Sequence, residues 1–361
     1  MKIGIQTYHA AYNVGAMLQA FATVAALKKL GHEAQLIDYY TPQLEHVNEL
    51  SYFPDTPRRL MQYLNGRLNF PTIRRLRRFR KFRRIMPLTR RYRSFDELKN
   101  APPECDLYLS GSDQIWNVAT GFDPVYFLRY LPPGKRKASY GSSFGRESFS
   151  DEQLKLIGEL LADYRSIGVR ETSGAEIVRL ACGREAAVVL DPTFLLSGPE
   201  WEKMADGAER CAGVPAGDYW YMSQLEFTEA NRENVSTVKR RLAIPCVEYT
   251  PKIVNPRREV YSVHDAGPLE FMDLIRNARF VCTSSFHTMA FAIHFHKDFY
   301  VVRHSNGRNT RMQSLLEQLG LGDRLVDRVP GAWEPIDYSA VDERRRILVK
   351  KSYDYLSSIS K

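Results

Sequence analysis

The sequence predicts an α/β protein built of two Rossmann-like domains facing each other across a cleft. Three observations carry that prediction. The first forty residues read strand, loop, helix, strand. Strand after strand then ends in a short polar loop. A segment rich in Ala, Gly and charge, residues 203–217, separates this strand series from a second one. A length of 361 residues suits two domains better than one core. The expected boundaries are 1–205 for the first domain, 217–335 for the second, and 336–361 for a last helix packing back toward the first.

The opening unit is the clearest. KIGIQTY is a strand and HAAYNVG a loop. AMLQAFATVAALKKLG is helical, with apolar residues at Met17, Leu18, Phe21, Val24, Ala25 and Leu27, and Gly31 as its stop. HEAQLIDYY is the next strand, which implies a parallel pair with a right-handed crossover. CDLYLSGSDQIWN and KASYGSSFG continue the series, and SDEQLKLIGELLADYRS is a helix capped by Ser150 or Asp151. SIGVRETSG and REAAVVLDPTFLL follow as strands. Beyond the linker, DYWYMSQ opens the second series. LEFMDLIRNA is a helix, FVCT a strand, FHTMAFAIHF a helix and FYVV a strand. RMQSLLEQLGL and the amphipathic AVDERRRILVKKSYDYLSSISK close the chain as helices.

The net charge of +9 is local. Ten arginines and one lysine lie between Arg74 and Arg93 with no acid among them, and without those eleven charges +9 becomes −2. Residues about 55–100 therefore read as a basic helical insertion in the first domain. Apolar residues at Ile73, Leu76, Phe79, Phe82, Ile85 and Met86 form one stripe on it. The stripe packs on the protein body, or residues 73–93 touch an anionic membrane. No nucleic-acid-binding module surrounds the helix, so no nucleic-acid partner is expected. The N-terminus lacks the apolar core of a signal peptide, and no apolar run is long enough to span a bilayer. A cytoplasmic protein is expected, with the inner face of the membrane as its place if the basic helix binds lipid. Five scattered cysteines, never in CxxC spacing, argue against a disulfide framework or a zinc site.

The polar strand ends are the candidate site. In open parallel sheets such loops share the ligand-binding edge. The first series offers Tyr8 and His9 with Asn13 and Gly15, then Gly111, Ser112, Asp113 and Gln114, then Gly141 to Ser143, Arg170 with Glu171, and Asp191. The second offers Thr283, Ser284, Ser285, His287 and Thr288. Hydroxyls at a helix N-terminus suit an anion such as phosphate, though Ser284 or Ser285 could equally be a simple cap. His287 beside them suits proton transfer near neutral pH. His294 and His296, two apart on a helix, point away from each other, and no metal is expected. No P-loop or HExxH occurs, and GSSFG lacks the sharp strand-to-helix turn of a nucleophile elbow.

YNVGAMLQAFA, LYLSGSDQIWN, SIGVRE, VVLDPTFLL, VCTSSFHTMAFAIHF, NTRMQSLLEQLGL and the segment from IDYSAV, in this order, resemble the polysaccharide pyruvyl transferase family. The resemblance implies a GT-B-like arrangement. It also implies transfer of the carboxyvinyl part of phosphoenolpyruvate onto a sugar, or a lipid-linked oligosaccharide, as a pyruvate ketal with release of phosphate. By the same resemblance, Arg170 matches an arginine associated with the donor and His287 the family's catalytic histidine. The chain departs from the family at Ser285 and Phe286, where well-studied members carry an arginine and a leucine. Thr288 replaces a common glycine. Arg311, Arg308 or Lys297 is then expected to take over that arginine's duty.

The roles expected are His287 as acid and base and Arg170 as anion clamp. Ser284, Ser285, Thr288, Asn309 and Arg311 hold the donor phosphate. His9, Asn13, Gly15, Gly111, Ser112, Asp113, Gln114, Glu171 and Asp191 face the acceptor. No cofactor is expected, phosphoenolpyruvate being a co-substrate. The alternatives are a nucleotide-sugar glycosyltransferase and a non-catalytic carbohydrate-binding relative.

Overall fold

The computed structural model describes residues 1–49, 70–223, 225–226, 228–250, 260–305 and 309–361. The chain divides into two compact units, Met1–Ser51 with Arg83–Leu196 and Arg345–Lys361, and Tyr52–Phe82 with Ser197–Arg344. Each is built on a parallel sheet flanked by helices, so the chain is a pair of Rossmann-like domains.

In the first unit β1 (Lys2–Gln6), β2 (Glu33–Leu36), β3 (Leu107–Ser110) and β4 (Lys137–Ser139) pair in the order β2-β1-β3-β4, all parallel. β5 (Gly168–Val169) and β6 (Ala187–Val188) form a parallel pair, joined to the β4 region by single bridges at Ala138–Ser166 and Ser142–Val169. β1 is sandwiched between neighbours and covered on both faces, which is why it reads as a continuous apolar run rather than an alternating one. The helix Val14–Lys29 connects β1 to β2. Asn13 caps its start by accepting from the Ala16 N–H (3.1 Å), and Gly31, at φ +83°, turns the chain after it.

In the second unit β7 (Trp220–Ser223), β8 (Cys246–Tyr249), β9 (Val260–Val263), β10 (Phe280–Thr283), β11 (Asp298–Val302) and β12 (Leu325–Val326) pair in the order β12-β11-β10-β7-β8-β9, again all parallel. One face packs Trp220, Met222, Phe280, Cys282, Tyr300 and Val302 into a core.

Three expectations need correction. The basic helix Phe70–Arg83 groups with the second unit up to Phe82, not with the first. Arg78, its side chain 3% exposed, donates to Asp265 O (2.8 Å) and faces the carboxylates of Asp265 (3.2 Å) and Glu270 (3.4 Å). The apolar stripe docks on the body through Leu76, Phe79, Phe82 and Met86, and leaves Ile73 and Ile85 exposed. Residues 55–69 of that insertion lie outside the described residues. The expected linker is also shorter: a helix Gly198–Ala205 with a Ser197/Glu200 capping box takes its first residues. Helices Thr172–Cys182 and Glu229–Leu242 were not foreseen. The terminal helix starts at Tyr338, and its residues from Arg345 onward belong to the first unit.

Candidate active site

The strand ends of the first unit converge on Arg170. Its side chain is 2% exposed, and Nη1 donates to Asp191 Oδ2 (2.8 Å). Asp113 lies 3.8 Å and Glu171 4.0 Å from the same guanidinium. Burial alone would lower its pKa; Asp191, Asp113 and Glu171 outweigh that and raise it, so the cation is fixed. Asp191 also accepts from Ser112 Oγ (3.2 Å) and from the Thr193 N–H (3.0 Å) and hydroxyl (2.8 Å). Glu171 is fully buried and accepts from Ser143 Oγ (2.7 Å) and the Phe144 N–H (3.1 Å). The cluster thus holds three carboxylates to one guanidinium, and the charge expected to clamp an anion is already compensated.

Gly111 is there for closeness: a Cβ on it would sit 2.8 Å from Thr7 Cβ, where the β1 and β3 ends touch. Asp113 adopts a left-handed conformation (φ +80°) and accepts from the Gln114 N–H (2.8 Å). With Asn13, Tyr8 and Tyr126 it lines a cavity of about 190 Å³. Gln114 lies against Gly145, and Gly15 is buried in the first turn of helix 14–29. His9 is not with this group. It is buried, with Nδ1 2.9 Å from Thr7 O and Nε2 3.6 Å from Asp38.

The second unit gathers its residues where β10 meets helix Phe286–His294. Ser285 is the cap, accepting from the Thr288 N–H (3.4 Å). Ser284 Oγ donates to Val302 O (2.7 Å), and the Thr288 hydroxyl bonds Ser223 Oγ (2.8 Å). The three hydroxyls expected to hold a phosphate are therefore committed to the fold, and what the helix N-terminus offers there is its own positive potential. His287 stands in the first turn, 9% exposed, its ring edge-on to Phe286 (centroids 5.3 Å apart). Arg311 lies over the Phe286 ring, 5.9 Å from its centre, so a cation stands against the residue that precedes the histidine. Asn309 clamps the backbone of His304, accepting from its N–H (2.9 Å) and donating to its carbonyl (3.2 Å). Lys297 is excluded as the replacement cation. It precedes β11 and so sits at the opposite, N-terminal edge of the parallel sheet. Arg308 lies outside the described residues. His294 packs against Trp201 and Phe291, while His296 pairs with Asp342 (3.1 Å).

A sequence model of the polysaccharide pyruvyl transferase family matches residues 13–306. The chain belongs to the polysaccharide pyruvyl transferase family. No curated protein matches it in a sequence search. Among solved structures, the transferase is similar to a UDP-GlcNAc 2-epimerase from Methanocaldococcus jannaschii, with 12% identity, a TM-score of 0.53, and 97% of this chain and 93% of that chain covered. A second structure of that organism's epimerase, in complex with UDP-GlcNAc and UDP, gives 14% identity, a TM-score of 0.50, and coverage of 97% and 100%. At such identities the likeness shows the fold alone, a GT-B-like pair of Rossmann-like domains.

Sequence reasoning missed four parts of the transferase's polar edges. Ser223, at the end of β7, ties Thr283 (3.0 Å) and Thr288 together. His304 Nε2 reaches Ser284 O (2.9 Å), and its Nδ1 faces Glu226 (3.6 Å). Glu226 accepts from the Ser305 N–H (3.2 Å) and hydroxyl (3.1 Å). Burial would raise its carboxyl, but Ser305 and His304 together hold it below the usual range. The signal for Ser223 and His304 was available, since each stands at a strand end. Tyr8 was read with His9 at the end of the first strand, but Tyr126 carried no such signal, because aromatics read first as core. A larger cavity, about 600 Å³, adjoins Tyr219 at the N-terminal edge of the second sheet and contains none of the candidate residues.

Proposed function

We propose that the transferase moves the pyruvyl group of phosphoenolpyruvate onto two hydroxyls of one sugar in a cell-surface or exopolysaccharide precursor, in the cytoplasm of a bacterial cell. The observation that carries this reading is His287 in the first turn of a capped helix, with Arg311 over the neighbouring ring. The donor's carboxylate and phosphate bring about three negative charges, which a helix N-terminus and a guanidinium offset. His287 gives a proton to the methylene carbon, and the adjacent carbon becomes oxocarbenium-like. A sugar hydroxyl attacks that carbon and its proton returns to the histidine. The carbon–oxygen bond to phosphate then breaks, and the second hydroxyl attacks the same carbon. Its proton leaves with the phosphate, and the ketal is closed. Arg170, enclosed by acids, acts here as a positioning residue for Asp113 and Asp191.

The test is phosphate release from phosphoenolpyruvate with a sugar acceptor. His287→Ala is expected to fold and to lose about 100-fold or more in turnover. Turnover near that of the unmodified protein would remove the histidine from this role. No helix among the described residues is long and apolar enough to cross a membrane. For a lipid-linked acceptor we propose contact with anionic lipid through the solvent face of helix 70–83. Phe70, Ile73, Arg77, Arg80 and Lys81 are all exposed there and share one side at three-to-four spacing. Sedimentation with vesicles containing phosphatidylglycerol is expected to exceed that with phosphatidylcholine alone, and to fall in a variant with Arg77, Arg80 and Lys81 changed to Gln. Equal sedimentation with both vesicles rejects the contact.

A further inference from the structure

The cavity at the polar edge of the first unit has walls that say what enters it. At about 190 Å³ it is smaller than the roughly 300–1,000 Å³ of pockets for drug-sized ligands, so it admits a single ring. Tyr8 and Tyr126 meet edge to face with centroids 4.6 Å apart. Together with Leu44 and three alanines, they give apolar surface for the C–H face of a sugar. Asn13 and Asp113 supply the polar wall. The Asn13 carbonyl caps helix 14–29, so its amide N–H₂ is the group left to donate.

Among the described residues, no lysine, arginine or histidine lines this cavity. Asp113 lines it and Asp123 acts on its Tyr8, while behind Asp113 the Arg170 guanidinium is shared with Glu171 and Asp191. The phenols report the same field. Tyr8 is pushed up to about 12 by burial, then by Asp113 and Asp123. Tyr39 is pushed up to about 12 by burial, then by Asp123. Tyr126 is raised in the same way, with Asp123 and Asp113 among the causes. All three stay neutral hydrogen-bond donors.

We propose that this cavity takes one sugar ring of the acceptor and selects against negative charge on it: an uncharged hexose or an amino sugar enters, a uronate or a sugar phosphate does not. Only the word acceptor rests on the reaction proposed above; the selection itself does not depend on that reading. A ring carboxylate placed here would face Asp113, whose neighbouring Arg170 guanidinium is already shared among three carboxylates, and like-charge juxtaposition is how a site rejects a near-isostere.

The experiment uses the full chain without phosphoenolpyruvate. Methyl glucoside, galactoside and mannoside are titrated by NMR beside their isosteric methyl uronides. At least one uncharged glycoside is expected to bind, and its uronide to bind about 10-fold more weakly or worse. Ala11→Phe, which fills the cavity from its loop wall, abolishes that binding. Asp113→Asn narrows the gap between the pair; Asn tolerates the left-handed backbone at this position. Asp123→Asn does the same in smaller measure and keeps the cap on Val125, so a failure of the first variant to fold leaves a second arm. Equal or tighter binding of the uronide overturns the proposal. So does a panel in which no uncharged glycoside binds, or a gap that survives both substitutions. Discrimination seen in a protein that releases no phosphate from phosphoenolpyruvate would defeat the reaction and leave the cavity's selectivity standing.

Discussion

Asp38 shows how much a single buried charge can depend on distant residues. Its side chain is 5% exposed and meets Arg83 (2.5 Å), Arg91 (3.4 Å) and His9 (3.6 Å). Burial would raise its carboxyl, but the His9 hydrogen bond and the Arg83 charge outweigh this and hold it well below the usual carboxylate range. A folded pKa below the unfolded value of about 3.9 means that the unfolded chain binds the proton first. The stability Asp38 contributes is therefore full above about pH 5 and is lost as the pH falls through 4 toward the folded value. Asp38→Asn is expected to cost about 3 kcal/mol at pH 7, because Arg83 is left buried without its carboxylate. It should also flatten the loss of stability between pH 5 and 3. Urea melts across that range check both; an unchanged slope contradicts the assignment. Nothing in the sequence links positions 9, 38, 83 and 91. The arginine run was legible as charge, but its pairing with Asp38 is a tertiary fact. His9 was read as a site residue for the same reason: strand-end position was visible and its partner was not. Arg170 was legible as a site arginine from its strand end, while the three carboxylates that enclose it come from separate loops.

At the scale of elements, the basic helix separates buried from exposed arginines one residue apart. Arg78 donates to Asp265 O, Glu209 O (3.3 Å) and Arg210 O (3.2 Å) and faces Asp265 and Glu270, both buried. Gly267 gives it passage, since a Cβ there would come 2.6 Å from Arg78 Cβ. Arg77, largely exposed, reaches only the rim carboxylate of Glu209 (2.5 Å). Arg78→Met is expected to destabilise the second unit by about 3 kcal/mol, because buried Glu270 loses its cation and Asp265 keeps only the partly exposed Arg74 (3.0 Å) among the described residues. Arg77→Ala should change it by less than about 1 kcal/mol. Hydrogen exchange of β7–β11 amides in the two variants measures the difference; equal effects would mean that burial does not set the cost here. Elements with a long apolar period or an explicit cap were legible. Helix 14–29 with Gly31 and helix 151–161 with Ser150 are examples, the latter carrying a full capping box with Gln153. Helix 229–242 was not legible, because Val238 is its one buried aliphatic residue and most of its surface is polar. β5 and β6 were read as strands within SIGVRETSG and REAAVVLDPTFLL, but their length was not legible, since each has only two residues.

At the scale of the whole molecule, the last seventeen residues belong to the unit that begins the chain. Ser352 Oγ accepts from the Leu190 N–H (3.0 Å), one residue before Asp191. Tyr355 donates to Ser139 O (2.9 Å), Tyr353 to Leu195 O (2.7 Å), and Leu356 is fully buried. The Tyr355 ring lies so close to β5 that a Cβ on Gly168 would come within 2.5 Å of it. The terminal helix is thus a wall of the first core and the brace behind the Arg170–Asp191 pair. Removing residues 345–361 is expected to speed hydrogen exchange across residues 137–191 by about 10-fold or more. A buried leucine alone contributes about 2–5 kcal/mol, and a tenfold change needs only about 1.4 kcal/mol. Exchange in β7–β12 should stay at its rate in the full chain. Gly168→Ala, which crowds the Tyr355 ring without shortening the chain, should produce the same pattern more weakly. Loosening spread evenly over both sheets would show that the helix supports the chain generally. Loosening confined to β4–β6 would tie the chain's last turns to the arginine cluster more than a hundred and fifty residues earlier.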